Sequence, residues 1–183
     1  YSGRTTSIQF PERFDSTTER LSHLHGVGTM SGIFDRAHLV INRSILPRVF
    51  QDCLSNPSVE IGGRWFGWYV PAEERWAFDK EHGTGDFGSG DLHYVLDYIP
   101  TGPNPESKTS VELQPDREYQ LWAFNELQRI DASIEILGTW HSHIPNGLTE
   151  FSRFDWDSYH SKLQTYPFPR MLCSLIHTAA ESF

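Results

Sequence analysis

The sequence has no dense run of basic residues. Lysine and arginine number 15 against 24 aspartates and glutamates, which gives a formal net charge of -9 at pH 7. Proteins that bind nucleic acid draw much of their affinity from clustered lysines and arginines that neutralise phosphates. This acidic charge balance argues against a nucleic-acid partner. A partner protein with a basic tail or surface is easier to accommodate.

Cysteine is also scarce, and long apolar runs are missing. The two cysteines, Cys53 and Cys173, lie in apolar stretches, so we expect buried, reduced thiols, as in a cytoplasmic protein. The sequence shows no signal peptide and no apolar run that could span a bilayer, so no membrane partner is expected. Because an initial methionine is missing, we expect that the sequence begins inside a longer protein.

The sequence has no internal repeat and no phosphate-binding loop. We expect a flexible loop at residues 77–91, which contain the glycine-rich stretch 83–90. Because this stretch does not lead from a strand into a helix, it does not predict nucleotide binding. With 183 residues and 38% hydrophobic content, the chain has material for one well-buried domain. We assign residues 1–33 to an N-terminal arm or the end of a preceding segment, and residues 34–183 to that domain.

Strand and helix patterns alternate along the predicted domain. Apolar residues recur at helical spacing in residues 44–55, 115–130 and 153–164. The second of these helices is expected to present Tyr119, Trp122, Ala123, Leu127 and Ile130 on one apolar face. The alternation predicts an α/β fold in which a mixed β-sheet is packed by helices in αβα layering. The strands are predicted at residues 38–42, 64–70, 92–99, 109–113, 134–140 and 171–177.

A pair of histidines and a downstream aspartate carry the most specific chemistry. The strand at 134–140 runs into His141 and His143, whose side chains point to the same side because strand side chains alternate. Ser152 fits a helix N-cap with Asp155 three residues later, so the intervening loop can fold back and present that carboxylate. Two imidazoles and one carboxylate leave the fourth position of a tetrahedral zinc open for water, as in catalytic sites.

Each part of this motif also has a plainer interpretation. A His-x-His pair alone is weak evidence for a metal site, since His23 and His25 form a second pair without a Ser-x-x-Asp element, and Ser-x-x-Asp alone begins many ordinary helices.

Two nearby acids compete with Asp155 for the third ligand position. Glu150 would have to turn inward from the loop, and Asp157 is rotated about 200° around the helix axis from Asp155. The geometry favours Asp155.

Glu60 is a further acidic candidate, upstream of the histidines. It lies where the helix at 44–55 gives way to the strand at 64–70, a place where a glutamate is commonly a solvated end residue. The glycine pair Gly62 and Gly63 permits close backbone approach, so the carboxylate could be held beside a metal site on a neighbouring strand. A glutamate outside the coordination shell suits the role of general base toward metal-activated water.

At these residues the chain resembles the JAB/MPN domains of the JAMM metalloprotease family, especially its bacterial branch. The resemblance covers residues 39–177 and includes the Thr-Gly-Pro-Asn-Pro stretch at 101–105. The family motif is an upstream glutamate, His-x-His, a short loop and Ser-x-x-Asp, matched here by Glu60, His141, His143, Ser152 and Asp155.

The loop between the two halves of the motif departs from the family pattern. Residues 144–151 are one more than is usual, and proline stands at position 145 instead of directly after the second histidine. A Pro-Asn-Gly loop absorbs an added residue easily, because Asn-Gly tolerates positive φ at little cost. The departure therefore concerns the substrate-facing loop more than the ligands.

The resemblance implies a JAB/MPN fold and a hydrolase activity. It implies that His141, His143 and Asp155 bind Zn²⁺, that Glu60 is the general acid/base, and that Ser152 helps to stabilise the oxyanion. It also implies cleavage of peptide or isopeptide bonds at the C-terminus of a ubiquitin-like modifier, in deconjugation or precursor processing, within a bacterial ubiquitin-like or anti-phage system. We expect residues 83–90 and 144–151 to form the walls of the substrate site.

Three other functions fit parts of this pattern. A peptidase that frees a sulfur-carrier protein from a C-terminal amino acid would use identical catalytic residues. A non-catalytic MPN scaffold would bind a partner without metal, but retention of all five motif residues argues against it. A related bacterial family associated with DNA processing shares the His-x-His and Ser-x-x-Asp layout, and the acidic charge balance counts against that function.

Overall fold

The computed structural model describes residues 38–82, 90–144 and 149–177. The predicted N-terminal arm, the pair His23 and His25, and residues 83–89 of the glycine-rich stretch lie outside the described residues. In chain order the elements are β1 (His38–Ile41), α1 (Ile45–Leu54), β2 (Gly62–Val70), a 3₁₀ turn (Ala72–Glu74), α2 (Arg75–His82), β3 (Leu92–Ile99), β4 (Ser107–Lys108), β5 (Leu113–Gln114), α3 (Arg117–Ile130), β6 (Glu135–His143), α4 (Arg153–Leu163) and β7 (Leu172–His177).

A five-stranded mixed sheet forms the centre of the fold, in the order β1-β3-β2-β6-β7. The two inner pairs, β3 with β2 and β2 with β6, are antiparallel, whereas β1 with β3 and β6 with β7 are parallel. Parallel neighbours need a crossover connection, and α4 lies in the connection from β6 to β7. The strand that ends in the histidine pair is therefore hydrogen-bonded on both sides.

Helix α1 packs on one face of this sheet. Its buried residues Ile45, Val49 and Cys53 are four apart and so lie on one side of the helix. They form a core cluster with Trp65 of β2 and Trp140 of β6. Burial of large apolar side chains of this kind contributes roughly 1.5–3 kcal/mol each.

Helix α3 packs on the opposite face. Its Ala123 and Leu127 are buried in a second cluster that includes Phe66 of β2, whereas the preceding residue, Trp65, belongs to the α1 cluster. Neighbouring residues of a strand point to opposite faces, so the two clusters lie on the two sides of the sheet. Helices on both faces of a mixed sheet confirm the predicted α/β class with αβα layering.

The flexible loop predicted at 77–91 is wrong in its first part. Residues up to 82 belong to the helix α2, whose weak apolar periodicity did not predict it. Tertiary contacts stabilise this helix instead. Arg75 is buried and donates a hydrogen bond to the carbonyl of Gly90 at 3.0 Å, and the Phe78 ring packs on Trp68 with centroids 5.7 Å apart.

The strand predicted at 109–113 is also wrong. The chain forms a short hairpin there, in which β4 pairs with β5 around residues 109–112. The hydroxyl of Thr109 accepts hydrogen bonds from the backbone N–H groups of Val111 and Glu112, a local competition with strand pairing that is typical of threonine in turns.

The apolar face predicted for α3 is narrower than expected. Trp122 and Ile130 are 52% and 62% exposed, whereas Ala123 and Leu127 are buried. Each step along a helix turns the side chain by about 100°, so Trp122 lies at the flank of the face centred on Ala123.

Both cysteines are free thiols, as predicted, with Cys53 buried and Cys173 partly buried. Among the described residues, the helices are too short or too polar to cross a membrane.

Candidate metal and catalytic site

His141 and His143 end β6 with their side chains on the same side of the strand. Only 8% and 3% of their surfaces are exposed, and their Nε2 atoms lie 3.2 Å apart. β2 approaches β6 closely here, because Gly62 pairs with His141 and a Cβ atom at Gly62 would lie 2.3 Å from the carbonyl oxygen of Trp140. One glycine of the predicted pair is thus required by close backbone packing at the site.

The start of α4 brings Asp155 to the histidines. Ser152 is the N-cap, and its hydroxyl accepts a hydrogen bond from the backbone N–H of Asp155 at 3.2 Å. In return, Oδ2 of Asp155 accepts a hydrogen bond from the backbone N–H of Ser152 at 2.7 Å. This reciprocal capping box confirms the predicted cap and fixes the carboxylate in the first turn of the helix.

The three side chains have the spacing of metal ligands. His141 Nε2 lies 3.3 Å from Asp155 Oδ1, and His143 Nε2 lies 3.6 Å from Oδ2 of the same carboxylate. A tetrahedral zinc ion with bonds of about 2.0–2.1 Å separates its ligand atoms by about 3.3 Å, close to these values and to the 3.2 Å between the rings. Among the described residues, His141, His143 and Asp155 are the group that could hold a metal ion.

The charge states of these groups suit metal binding. Burial lowers the pKa of His141 to about 4, against the opposing effect of the Asp155 charge, so the ring is neutral at pH 7. Burial by itself would raise the pKa of Asp155, but the hydrogen bonds from Ser152 and the neighbouring histidines outweigh burial and lower it. A neutral imidazole and an ionised carboxylate are the forms that coordinate a cation.

Glu60 precedes β2 with one residue, Ile61, between them, and it lies close enough to His143 and Asp155 for their charges to affect its carboxyl group. Its backbone N–H donates a hydrogen bond to the carbonyl of Thr109 at 2.7 Å, so the hairpin β4–β5 holds it from one side. Burial raises the pKa of Glu60, the charge of His143 opposes that rise, and the charge of Asp155 adds to it. A raised pKa makes the acid form of a carboxyl group more persistent, which suits a group that takes up and releases protons.

The hydroxyl of Ser152 is engaged with the third ligand. Ser152 Oγ lies 2.6 Å from Oδ2 of Asp155, and the carboxylate can only accept, so the hydroxyl proton points toward Asp155. A hydroxyl has a single proton, and donation to a substrate oxyanion requires a rotation away from Asp155. The oxyanion role of Ser152 stays a prediction.

Tyr159 is a site residue that the sequence did not reveal. Its hydroxyl lies 2.9 Å from Nδ1 of His141. When Nε2 of His141 offers its lone pair to a metal, Nδ1 carries the proton and its N–H donates a hydrogen bond to the Tyr159 oxygen, an arrangement that fixes ring orientation at many metal sites. A tyrosine four residues after Asp155 on a helix shares its face, and that spacing is the signal that could have identified it.

An aromatic wall flanks the same ligand. The ring of Phe151 lies 5.9 Å from His141 and 5.3 Å from Trp156, centroid to centroid. Half of the Trp156 surface is exposed, at 51%, and Phe154 in the same turn of α4 is 86% exposed. The rim of the site is thus apolar on the α4 side.

The competing acids lie elsewhere. Asp157 is exposed and its carboxylate pairs with Arg153 at 3.9 Å, and Glu150 is exposed on the approach to α4.

Residues 145–148 lie outside the described residues, as do residues 83–89, so the predicted walls of a substrate site at 83–90 and 144–151 stay predictions.

Comparison with models of known protein families and with curated proteins finds no match to this chain.

Proposed function

We propose that this protein is a zinc-dependent isopeptidase of the JAMM type, acting at the C-terminus of a ubiquitin-like modifier. The observation that carries the proposal is the convergence of His141, His143 and Asp155 on one point, with Glu60 near enough for the charges of His143 and Asp155 to affect its carboxyl group. Metal-assisted hydrolysis of an amide needs an open cation site and a base outside the ligand set. The three candidate ligands support the first requirement and Glu60 supports the second, and all four residues match the JAMM motif.

His141, His143 and Asp155 would hold the zinc ion. Two imidazole nitrogens and one carboxylate oxygen are a donor set that zinc prefers, and three protein ligands are typical of catalytic zinc. When bound, zinc supplies Lewis acidity that polarises the scissile carbonyl and lowers the pKa of water. Tyr159 would hold the His141 ring in the tautomer that leaves Nε2 free for the ion.

Glu60 would move the proton. As a carboxylate it takes a proton from the attacking water, and as the resulting acid it delivers that proton to the leaving amine. The raised pKa of Glu60 supports both steps, because its acid form persists nearer to neutral pH than that of an exposed glutamate. Ser152 would turn its hydroxyl from Asp155 to the developing oxyanion, where one well-placed donor contributes about 3 kcal/mol.

The surroundings of the site suit an extended chain terminus. A modifier tail can bind by adding a strand to exposed backbone, and the hairpin β4–β5 adjoins Glu60 through Thr109. The exposed rings of Phe154 and Trp156 add an apolar rim at the start of α4. The acidic balance of the chain favours a substrate with a basic surface around its tail.

The proposal is tested by incubating the protein with ubiquitin-like modifiers that carry a C-terminal extension or an isopeptide-linked lysine. Cleavage after the modifier's last residue should stop on chelation and return when zinc is added back. Glu60→Gln should keep its zinc and its fold while the rate falls by at least ~10²-fold, as for loss of a general base. Glu73→Gln is the matched control, because it neutralises an exposed glutamate in the 3₁₀ turn at the far end of β2 from Glu60 and should cleave at the wild-type rate.

Different results would reject different parts of the proposal. Full cleavage by metal-free protein would exclude zinc chemistry. A Glu60→Gln variant that turns over normally, or that no longer binds zinc, would show that Glu60 is not the base outside the ligand set. Zinc binding without hydrolysis of any modifier fusion would favour a scaffold.

A further inference from the structure

Ser142 lies between the two histidines of the motif but has its own contacts, on the opposite side of β6. Its backbone N–H donates a hydrogen bond to the carbonyl of Ile61 at 2.7 Å, and its hydroxyl oxygen accepts one from the N–H of Ile61 at 3.2 Å. Both residues are buried, with 4% of each surface exposed. Ser142 therefore forms hydrogen bonds with both the N–H and the carbonyl of Ile61, the residue that follows Glu60.

The second of these hydrogen bonds is specific to a hydroxyl side chain. In an antiparallel ladder a hydrogen-bonded pair exchanges two backbone hydrogen bonds, so any residue can serve. Here the N–H of Ile61 goes to the serine oxygen. Alanine at position 142 would leave the buried N–H of Ile61 without that acceptor. An unpaired buried N–H destabilises the fold unless the backbone shifts to give it another partner.

The backbone on the other side of Glu60 is held as well. The N–H of Glu60 itself donates to the carbonyl of Thr109 at 2.7 Å. Glu60 belongs to no helix or strand. Its backbone is nevertheless held by hydrogen bonds on both sides, at its own N–H by Thr109 and at the next residue, Ile61, by Ser142. These contacts fix the backbone on both sides of the Glu60 side chain.

We infer that Ser142 is a positioning residue for Glu60: its hydroxyl fixes the backbone of Ile61 and thereby aims the Glu60 carboxylate at the metal group. The inference rests on the proposed function, since it takes Glu60 to be the base. It gives the central residue of the His-Ser-His segment a task separate from those of its neighbours, which supply ligands on the other side of the strand. Proton transfer is sensitive to such placement, because a displacement of about 1 Å can cost ~10²-fold in rate.

The test compares Ser142→Ala and Ser142→Thr with the wild-type chain, in zinc-loaded protein and with a cleaved modifier fusion. We expect Ser142→Ala to lower kcat by ~10–100-fold, the range seen when a group that orients an active residue is lost, with KM and zinc content unchanged. Ser142→Thr keeps the hydroxyl and should restore most of the rate.

Ser174→Ala is the matched control. Ser174 is a serine of the neighbouring strand β7, and its hydroxyl accepts a hydrogen bond from Trp65 Nε1 at 3.0 Å. The control removes an acceptor from a buried donor in the same sheet without touching Ile61. It should keep the wild-type kcat.

A double-mutant cycle separates positioning of Glu60 from other effects. If Ser142 acts through Glu60, Ser142→Ala should add nothing to the loss already caused by Glu60→Gln. An additive loss, a loss of zinc, a change confined to KM, an unchanged kcat in Ser142→Ala, or an equal loss in Ser174→Ala would each overturn the inference. A Glu60→Gln variant with full activity would instead refute the proposed function.

A structural measurement applies even if a cleaved substrate is not found. Crystal structures of the zinc-loaded wild type, Ser142→Ala and Ser142→Thr should show the Glu60 carboxylate displaced from the zinc in the alanine variant alone. The same Glu60 position in wild type and Ser142→Ala would overturn the inference independently of any activity.

Discussion

Replacing Asp155 by asparagine tests the metal site most directly, because the side chain keeps its shape and loses its charge. Oδ1 of Asp155 is 3.3 Å from His141 Nε2, whereas Oδ2 is occupied by the backbone N–H and hydroxyl of Ser152. An asparagine can keep its carbonyl oxygen on Ser152, but it then presents an amide N–H₂ group to the histidines. A neutral group with donors facing the ion cannot replace a carboxylate ligand.

Asp155, in the first turn of α4, is a candidate ligand itself, so its loss should weaken zinc binding more than loss of a residue that only orients a ligand. Removing a group that only orients a ligand costs ~10–100-fold in metal affinity, so loss of a ligand itself should exceed ~100-fold. That factor corresponds to about 2.8 kcal/mol of binding free energy. The helix should survive, because the Ser152 cap remains and loss of a whole cap costs only ~1 kcal/mol.

Asp157→Asn is the matched control, since it removes the same charge from the same helix. Asp157 is 69% exposed and its partner Arg153 is 3.9 Å away, an ion pair of a kind that contributes at most ~1 kcal/mol. The assay is competition for zinc between metal-free protein and a chromophoric chelator, with circular dichroism to verify the fold. Wild-type zinc affinity in Asp155→Asn, or loss of zinc in Asp157→Asn, would refute the ligand assignment.

Two further predictions concern His141. Tyr159→Phe should weaken zinc binding by ~10–100-fold with the fold intact, because Nδ1 of His141 loses its hydrogen-bond partner. The control Tyr166→Phe removes a hydrogen bond to the carbonyl of Ile136 and should keep the wild-type zinc affinity. Equal zinc affinities in the two variants would contradict the role of Tyr159. In metal-free protein, burial lowers the pKa of His141 from 6.5 to about 4. Between these two pH values the unfolded chain binds more protons at His141 than the folded chain does. The free energy of unfolding should therefore fall by roughly 3 kcal/mol as the pH drops from about 7 to 4. Urea unfolding across that range should show a shallower fall in His141→Gln, and an identical pH dependence in the two proteins would exclude a neutral buried His141.

The metal group could be predicted from the sequence because each ligand is placed by a local rule. Strand alternation puts His141 and His143 on one side, and the capping box sets Asp155 three residues after Ser152. Both rules act over a few residues. The added residue in the loop at 144–151 does not disturb them, since the cap and the strand end are each defined on their own side of the loop.

The parts that were missed are those decided by tertiary contacts. Helix α2 has little apolar periodicity and is stabilised by Arg75 and by the packing of Phe78 against Trp68. The spacing of Tyr159 from Asp155 places both on one face of α4, but the position of β6 is needed to show that the Tyr159 hydroxyl reaches Nδ1 of His141. A pattern along one element cannot identify a partner on another.

The two carboxylates of the site differ in the same way, and the difference has a consequence for mutations. Asp155 is fixed within its own helix turn, whereas Glu60 depends on a contact between Ile61 and Ser142, which are 81 residues apart in the sequence. The candidate metal ligands therefore belong to β6 and α4, and the proposed base belongs to the junction between α1 and β2, whose backbone the hairpin and Ser142 hold by hydrogen bonds. Changes at that junction should stop proton transfer and leave zinc in place, while changes at the start of α4 should remove the ion and the activity together.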